Sequence, residues 1–226
     1  EWATSRDLDY GSGVYDNGYG PGRRIAVTHR RQMVFVKPDY FVVVDTLTGE
    51  GVHTIESLYH LNHDEAEIEE GAARSVDPGT SNVVIAAAPL EGLSLRLAKG
   101  ELTPEVQGFI PFERWRPSRS LPQTAAPAHG KREVPTLIYT LQAPLPARLA
   151  YVIAPYPAGR RLEVACRLLP TEGPGTAVQV SWPDGRQHTL LIGEPGQRVA
   201  CGALSTERRL AVHDTSGPVP RLLAEL

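Results

Sequence analysis

Long hydrophobic runs are missing from this sequence of 226 residues. No apolar stretch approaches the ~20 residues that a membrane-spanning helix needs, so no transmembrane helix is expected. No signal peptide or lipid-attachment motif is visible. Cysteine is scarce, with only Cys166 and Cys201. Two cysteines neither demand nor exclude an oxidising compartment. Both sit in apolar, strand-like runs, which favours two buried thiols over a disulfide. A dominant charge is lacking too. The net charge of −3 gives no electrostatic footprint for nucleic acid or an anionic membrane. Phosphate-binding glycine loops, nucleophile elbows, EF-hand loops and zinc-finger spacings are absent. Helical periodicity is almost absent as well.

What is present is alternation with a period of two. Ile25, Val27, His29, Arg31, Met33 and Phe35 would share one face of a long strand. A Lys-Pro-Asp-Tyr turn follows, and Tyr40 to Leu47 is a nearly continuous apolar run suited to a central strand buried on both faces. Gly49-Glu50-Gly51 is a hairpin signal, after which Val52 to Leu61 returns as the third strand of a meander. Further strands are expected at Val83–Ala88, Leu93–Leu97, Leu162–Leu168, Val178–Trp182, His188–Ile192 and Arg209–Val212. Leu137–Leu141 and Leu149–Ile153 are expected to pair with each other. The stretch from Pro111 to Pro135 reads as one long loop. With 21 glycines and 20 prolines to supply turns and no visible domain boundary, residues 1–226 are expected to form one domain. Its class is all-β, a stacked antiparallel sandwich of roughly a dozen strands.

Several residues could carry chemistry. His29, Asp45 and His60 come from successive strands and are of metal-ligating type. None stands at a tight ligand spacing, so structural roles are preferred and no metal ligand is assigned. A proton-transfer site needs a base near a substrate carbon and a group that stabilises the resulting anion. His29 with Arg30 or Arg31, near Tyr15 and Tyr19 of the Gly13–Gly20 loop, could supply such parts if they converge. Arginine pairs at 23–24, 30–31, 160–161 and 208–209 are either solvated side chains on outward faces or fork-like receptors for an anion. Trp2, Trp115 and Trp182 could each stack on a sugar ring. Trp182 alternates with core positions, which leaves Trp115, flanked by Arg114 and Arg116, as the better binding candidate.

The opening third resembles a known family. W-x-T-S at 2–5 is followed by G-V-Y-D-N-G-Y-G, H-R-R-Q-M-V-F-V-K-P-D-Y-F-V-V-V-D, L-T-G-E-G-V-H and E-S-L-Y-H-L, with I-A-P-Y-P at 153–157 further on. Together they resemble the C-terminal β domain of heparinase II/III-like proteins, which include heparinase and alginate lyases. The resemblance implies an antiparallel β-sandwich that follows an N-terminal α/α toroid, with an acidic polysaccharide bound in the cleft between them. It implies β-elimination, in which the uronate carboxylate is neutralised, a base takes the C5 proton and an acid protonates the departing O4. Much of that work falls to toroid residues and to an H-x-H-x-D segment, which in some members joins an A-H-N segment in holding a divalent metal. None of these motifs occurs in the chain. No catalytic or metal-binding residue is therefore carried over, and the chain is expected to hold no cofactor of its own.

The chain begins at Glu1 with no initiator methionine, so its natural beginning is expected to lie upstream. The resemblance implies a supporting, cleft-lining domain that is inactive alone, and the residues themselves leave Tyr19, His29, Arg31 and Trp115 as substrate-binding candidates. The missing toroid and an acidic polysaccharide are the implied partners, in a periplasmic or secreted setting. Two other classes remain open: a carbohydrate-binding or structural β module without lyase parentage, and a small metalloenzyme built on His29, Asp45 and His60.

Overall fold

A computed structural model describes residues 1–69, 71–103, 106–113 and 129–226. Apart from a 3₁₀ turn at Pro21–Arg23, the regular structure of these residues is β throughout. The strands are β1 (Trp2–Thr4), β2 (Leu8–Tyr15), β3 (Thr28–Val36), β4 (Tyr40–Thr48), β5 (Val52–His60), β6 (Ala66–Glu69) and β7 (Ala72–Ser75). They continue with β8 (Asn82–Ala87), β9 (Ser94–Ala98), β10 (Phe109–Glu113), β11 (His129–Glu133), β12 (Thr136–Pro144) and β13 (Ala147–Tyr156). The rest are β14 (Ala165–Leu169), β15 (Thr176–Ser181), β16 (Gln187–Ile192), β17 (Val199–Cys201), β18 (Leu204–Thr206), β19 (Leu210–Asp214) and β20 (Arg221–Glu225). No helix among the described residues is long and apolar enough to cross a membrane.

The strands stack in three layers. An eight-stranded antiparallel sheet, in the order β1-β2-β3-β4-β13-β8-β7-β6, forms the middle. A three-stranded sheet, β5-β12-β9, covers one face, and a five-stranded sheet, β14-β15-β16-β19-β20, covers the other. The stacking follows from the pleat, which sends successive side chains to opposite faces. Val42 and Val44 join Ala150, Val152, Val178, Val180, Leu190 and Val212 in one core. Val43 joins Ile55, Leu137, Tyr139, Leu149 and Tyr151 in the other. The continuous apolar run at Tyr40–Leu47 is thus explained as expected, because β4 lies in a sheet covered on both sides. Each fully buried large aliphatic side chain stabilises the stack by about 1.5–3 kcal/mol.

The all-β stacked sandwich stands, but the strands differ from expectation at several points. β3 and β4 pair across the Lys-Pro-Asp turn, whereas β5 does not return beside β4. It crosses to the three-stranded layer and pairs with β12. The true meander is β2-β3-β4, because Gly49–Gly51 serves as a corner between layers. β12 and β13 likewise do not pair, since their apolar positions belong to different sheets. The segment expected as a loop begins and ends in paired strands, β10 with β11. A further strand, β20, follows β19 and pairs with it. Ile25 and Val27 precede β3 rather than belonging to it. Ile25 forms a bridge with Tyr19.

Both cysteines are free, with Cys166 buried and Cys201 partly so. Burial pushes the Cys166 thiol up to about 12, which leaves it protonated and inert at neutral pH.

Candidate functional site

β3 carries two arginines in a row, and the pleat sends them to opposite faces. Arg31 faces the side of the three-stranded layer, directly across from Asp45 on β4. Its guanidinium grips that carboxylate with two bonds, Nε to Oδ1 at 2.7 Å and Nη2 to Oδ2 at 2.7 Å. Asp45 is only 1% exposed, so an unpaired charge there would be costly and this fork offsets it. His29, two residues before Arg31 and on the same face, adds a third bond from Nε2 to Asp45 Oδ1 at 2.8 Å. The other ring nitrogen of His29, Nδ1, meets the Tyr19 hydroxyl at 3.0 Å.

These contacts define a hydrogen-bonded line, Tyr19–His29–Asp45–Arg31. Asp45 needs a donor, so His29 offers Nε2–H to it. Nδ1 is then the acceptor for the Tyr19 O–H, an assignment that follows from the partners. Burial pushes the Asp45 carboxyl up, but the bonds from Arg31 and His29 outweigh it and hold the group below the usual carboxylate range. The same pairing holds the Arg31 guanidinium firmly charged. Burial, with Tyr15 and the nearby Asp45 charge, raises the Tyr19 phenol.

The loop from Asp16 to Ala26 brings Tyr19 to this line. Tyr15 donates its hydroxyl to the Gly18 carbonyl at 3.0 Å, and its ring stands edge-on to Tyr19 with centroids 5.2 Å apart. Around the line lies a cavity of about 300 Å³, walled also by Ile25, Val27 and Leu47 and by residues of β5 from His53 to Leu58. β5 is an edge strand of its layer, so one side of the cavity ends at backbone that no further strand among the described residues pairs with. Beneath it, Tyr59, Tyr139 and Tyr151 pack edge-to-face with centroids 5.1 to 6.0 Å apart. Burial raises all three phenols, that of Tyr151 to about 12.

Three of the predicted binding residues, Tyr19, His29 and Arg31, therefore come together in one cavity. Trp115 lies outside the described residues. His60, at the far end of β5, does not line the cavity, so His29, Asp45 and His60 do not converge. Among the described residues no three His, Cys, Asp or Glu side chains are grouped as a metal site would require. Trp182 is buried in the core as expected, and Trp2 lies exposed at the sheet edge. Sequence reasoning treated Asp45 only as a metal candidate and missed it as the anchor of the line. The signal was available: Val36 opposite Tyr40 across the Lys-Pro-Asp turn fixes Arg31 opposite Asp45.

Comparison with known proteins agrees with this architecture. The family model described as "Heparinase II/III-like, C-terminal" matches residues 9–142, a span that contains the whole line. Comparison with curated proteins found no significant match. Among solved structures, heparan sulfate lyase HepC from Pedobacter heparinus is similar with a TM-score of 0.59 at 15% identity, over 85% of this chain and 27% of that one. The heparinase III-BT4657 gene product is similar with a TM-score of 0.58 at 15% identity, over 85% of this chain and 27% of that one. A further structure, of heparinase III, gives 0.55 at 15% identity, with 84% of this chain and 26% of that one covered. This chain thus spans about a quarter of the length of the lyases it resembles, and at such identity the likeness concerns the fold.

Proposed function

This chain belongs to the heparinase II/III-like C-terminal family, and on that basis we propose that it is the β-sandwich of a polysaccharide lyase. In the complete protein it forms one wall of a cleft for an acidic, uronate-containing glycan, and an α/α toroid forms the other. Residues 1–226 act as one domain in this reading, and the glycan substrate implies a periplasmic or secreted setting. The cavity at Tyr19, His29 and Arg31 contributes binding contacts. The proton transfers of β-elimination belong to groups outside the chain.

One observation carries the assignment to binding rather than catalysis: no member of the Tyr19–His29–Asp45–Arg31 line is a free base. Both nitrogens of His29 are engaged, one by Asp45 and one by Tyr19. The Tyr19 phenol is raised, so it stays protonated near neutral pH and is poorly matched to removing a carbon-bound proton. Asp45 is locked between Arg31 and His29. What remains is a partly exposed guanidinium edge and a phenol, which suit a sugar hydroxyl or carboxylate. The same reading accounts for the open edge of β5 beside the cavity, where a neighbouring domain can complete the wall.

The test is incubation of the chain alone with heparan sulfate, alginate and hyaluronan while following the ultraviolet absorbance of unsaturated uronides. A flat trace is expected with all three. A robust rise that disappears in His29→Ala would overturn the assignment and make the line catalytic.

A further inference from the structure

On the opposite face of the central sheet, lined by Arg30 and Thr46 next in sequence to His29, Arg31 and Asp45, lies a second cleft. Arg30 on β3 pairs in register with Thr46 on β4, which pairs with Arg148 on β13. The three side chains form one cross-strand row on one face, with neighbouring Cβ atoms about 5 Å apart. The row opens into a cavity of about 370 Å³ beneath the five-stranded layer. Gln32, Thr171, the turn Gly173–Thr176 and Gly193–Glu194 complete its walls.

The two arginines are not equivalent. Arg30 is matched: Nη2 reaches Glu194 at 2.6 Å and Glu1 at 3.9 Å, while Nε donates to the Ser12 hydroxyl at 3.1 Å. Arg148 is unmatched. Its Nη1 donates to the Gly175 carbonyl at 3.1 Å, and its buried Nε has no partner. No carboxylate pairs with it among the described residues. A half-buried guanidinium without a counter-charge carries a desolvation cost, and that burial lowers the Arg148 pKa. A hydrophobic or neutral residue would satisfy the packing at less cost.

The facing wall is tightly constructed. Gly173 has φ +86°, and a Cβ there would collide with the Arg198 carbonyl; a Cβ on Gly175 would collide with Val199 and the Ile192 carbonyl. This glycine turn closes on β17 and leaves the space over Arg148 and Thr46 open. The cleft thus combines an uncompensated cation, a neighbouring threonine hydroxyl and an open volume.

We propose that this cleft is a second binding site for an oxyanion, a sulfate or carboxylate borne by an acidic glycan, with Arg148 as the principal donor and Thr46 beside it. Arg30, held by Glu194, borders the site and sets its edge. The glycan as carrier rests on the function proposed above, whereas the oxyanion chemistry does not. The site lies across the sheet from the Tyr19 cavity, so it would hold a separate stretch of polymer.

Two measurements on the full chain test this. Inorganic sulfate, compared with chloride at matched ionic strength, should raise the melting temperature of the wild type by about 2–4 °C through binding to the native state. Sulfate also stabilises proteins by exclusion from their surfaces, so the decisive quantity is the difference from Arg148→Gln. That variant should melt no lower than the wild type in chloride and should lose the specific sulfate increment. In the second measurement, a sulfated heparin hexasaccharide should bind roughly tenfold more weakly to Arg148→Gln, the loss of one charge-assisted contact. Tyr19→Phe should leave the sulfate increment intact, which separates this site from the proposed cleft wall. A sulfate increment without hexasaccharide binding would overturn the glycan as carrier. If Arg148→Gln melts lower and keeps the full sulfate increment, Arg148 is a tether for the Gly175 turn and the site is refuted.

Discussion

Asp45 has three strong donors and almost no solvent, so its charge is defined by its neighbours rather than by water. Asp45→Asn keeps the shape and removes that charge. Breaking a fully buried pair typically costs 3–5 kcal/mol. The Arg31 side chain is 40% exposed and can recover hydration, so a loss of about 2 kcal/mol is expected, read as a lower urea midpoint. The sign of the pH dependence follows from the lowered Asp45 pKa. The native state holds this carboxylate ionised more readily than the unfolded chain does, so its contribution is full above an unfolded pKa of about 4. It is lost as pH falls through the native value. Wild type and variant should therefore differ at neutral pH and converge in acid. A constant difference down to low pH would show that Asp45 acts through packing alone.

Between elements, a polar contact adds to the apolar core shared by β4 and β16. The Tyr40 hydroxyl meets His188 Nδ1 at 2.9 Å across the layer boundary. Both rings also pack edge-on against Trp182, whose other neighbour is the Arg186 guanidinium at 3.8 Å. Burial depresses the His188 pKa, Arg186 adds to the effect, and Asp214 and Asp39 oppose it. A histidine kept neutral in the fold but protonated in the unfolded chain stabilises fully above about pH 6.5. That contribution fades as the solution is acidified from there towards the depressed value. Urea midpoints should thus fall between pH 7.5 and 5.5, and the slope should be shallower in His188→Gln. His213, displaced the same way by burial, accounts for a residual slope. An unchanged slope in the variant would assign the dependence to other groups.

How much of each element was legible depends on where its partner lies. Val178, Val180 and Trp182, the Pro-Asp-Gly turn and His188–Ile192 contain their own pairing information, and β15 and β16 pair as the alternation implies. The Arg31–Asp45 contact was similarly local, one short turn away. β5 was not legible as a layer-crossing strand, because the choice between β4 and β12 is decided by Leu137 and Tyr139, which lie some eighty residues downstream and bury against it. The Arg30–Thr46–Arg148 row was hidden for the same reason. Its third member arrives on β13, about a hundred residues after the second, and nothing near Thr46 announces it.

At the scale of the whole molecule, the central sheet belongs to both cores at once. Both outer layers pack on that one sheet from opposite faces, so loosening it weakens both, and one cooperative transition is expected. Leu137→Ala in the three-stranded layer and Leu190→Ala in the five-stranded layer each remove a fully buried side chain, at a cost of about 3 kcal/mol. Both should move the same single transition, with near- and far-ultraviolet circular dichroism coincident. Two separated transitions in either variant would mean that an outer layer melts independently.

Arg30 and Arg31 are neighbours in sequence and serve opposite faces of β3. Loss or gain of a single codon within β3 would exchange the faces on which these side chains emerge, parting Arg31 from Asp45 and Arg30 from Glu194. A point substitution can disable one cleft and leave the other as it was. Along this strand, inheritance should therefore tolerate changes of letter far better than changes of length.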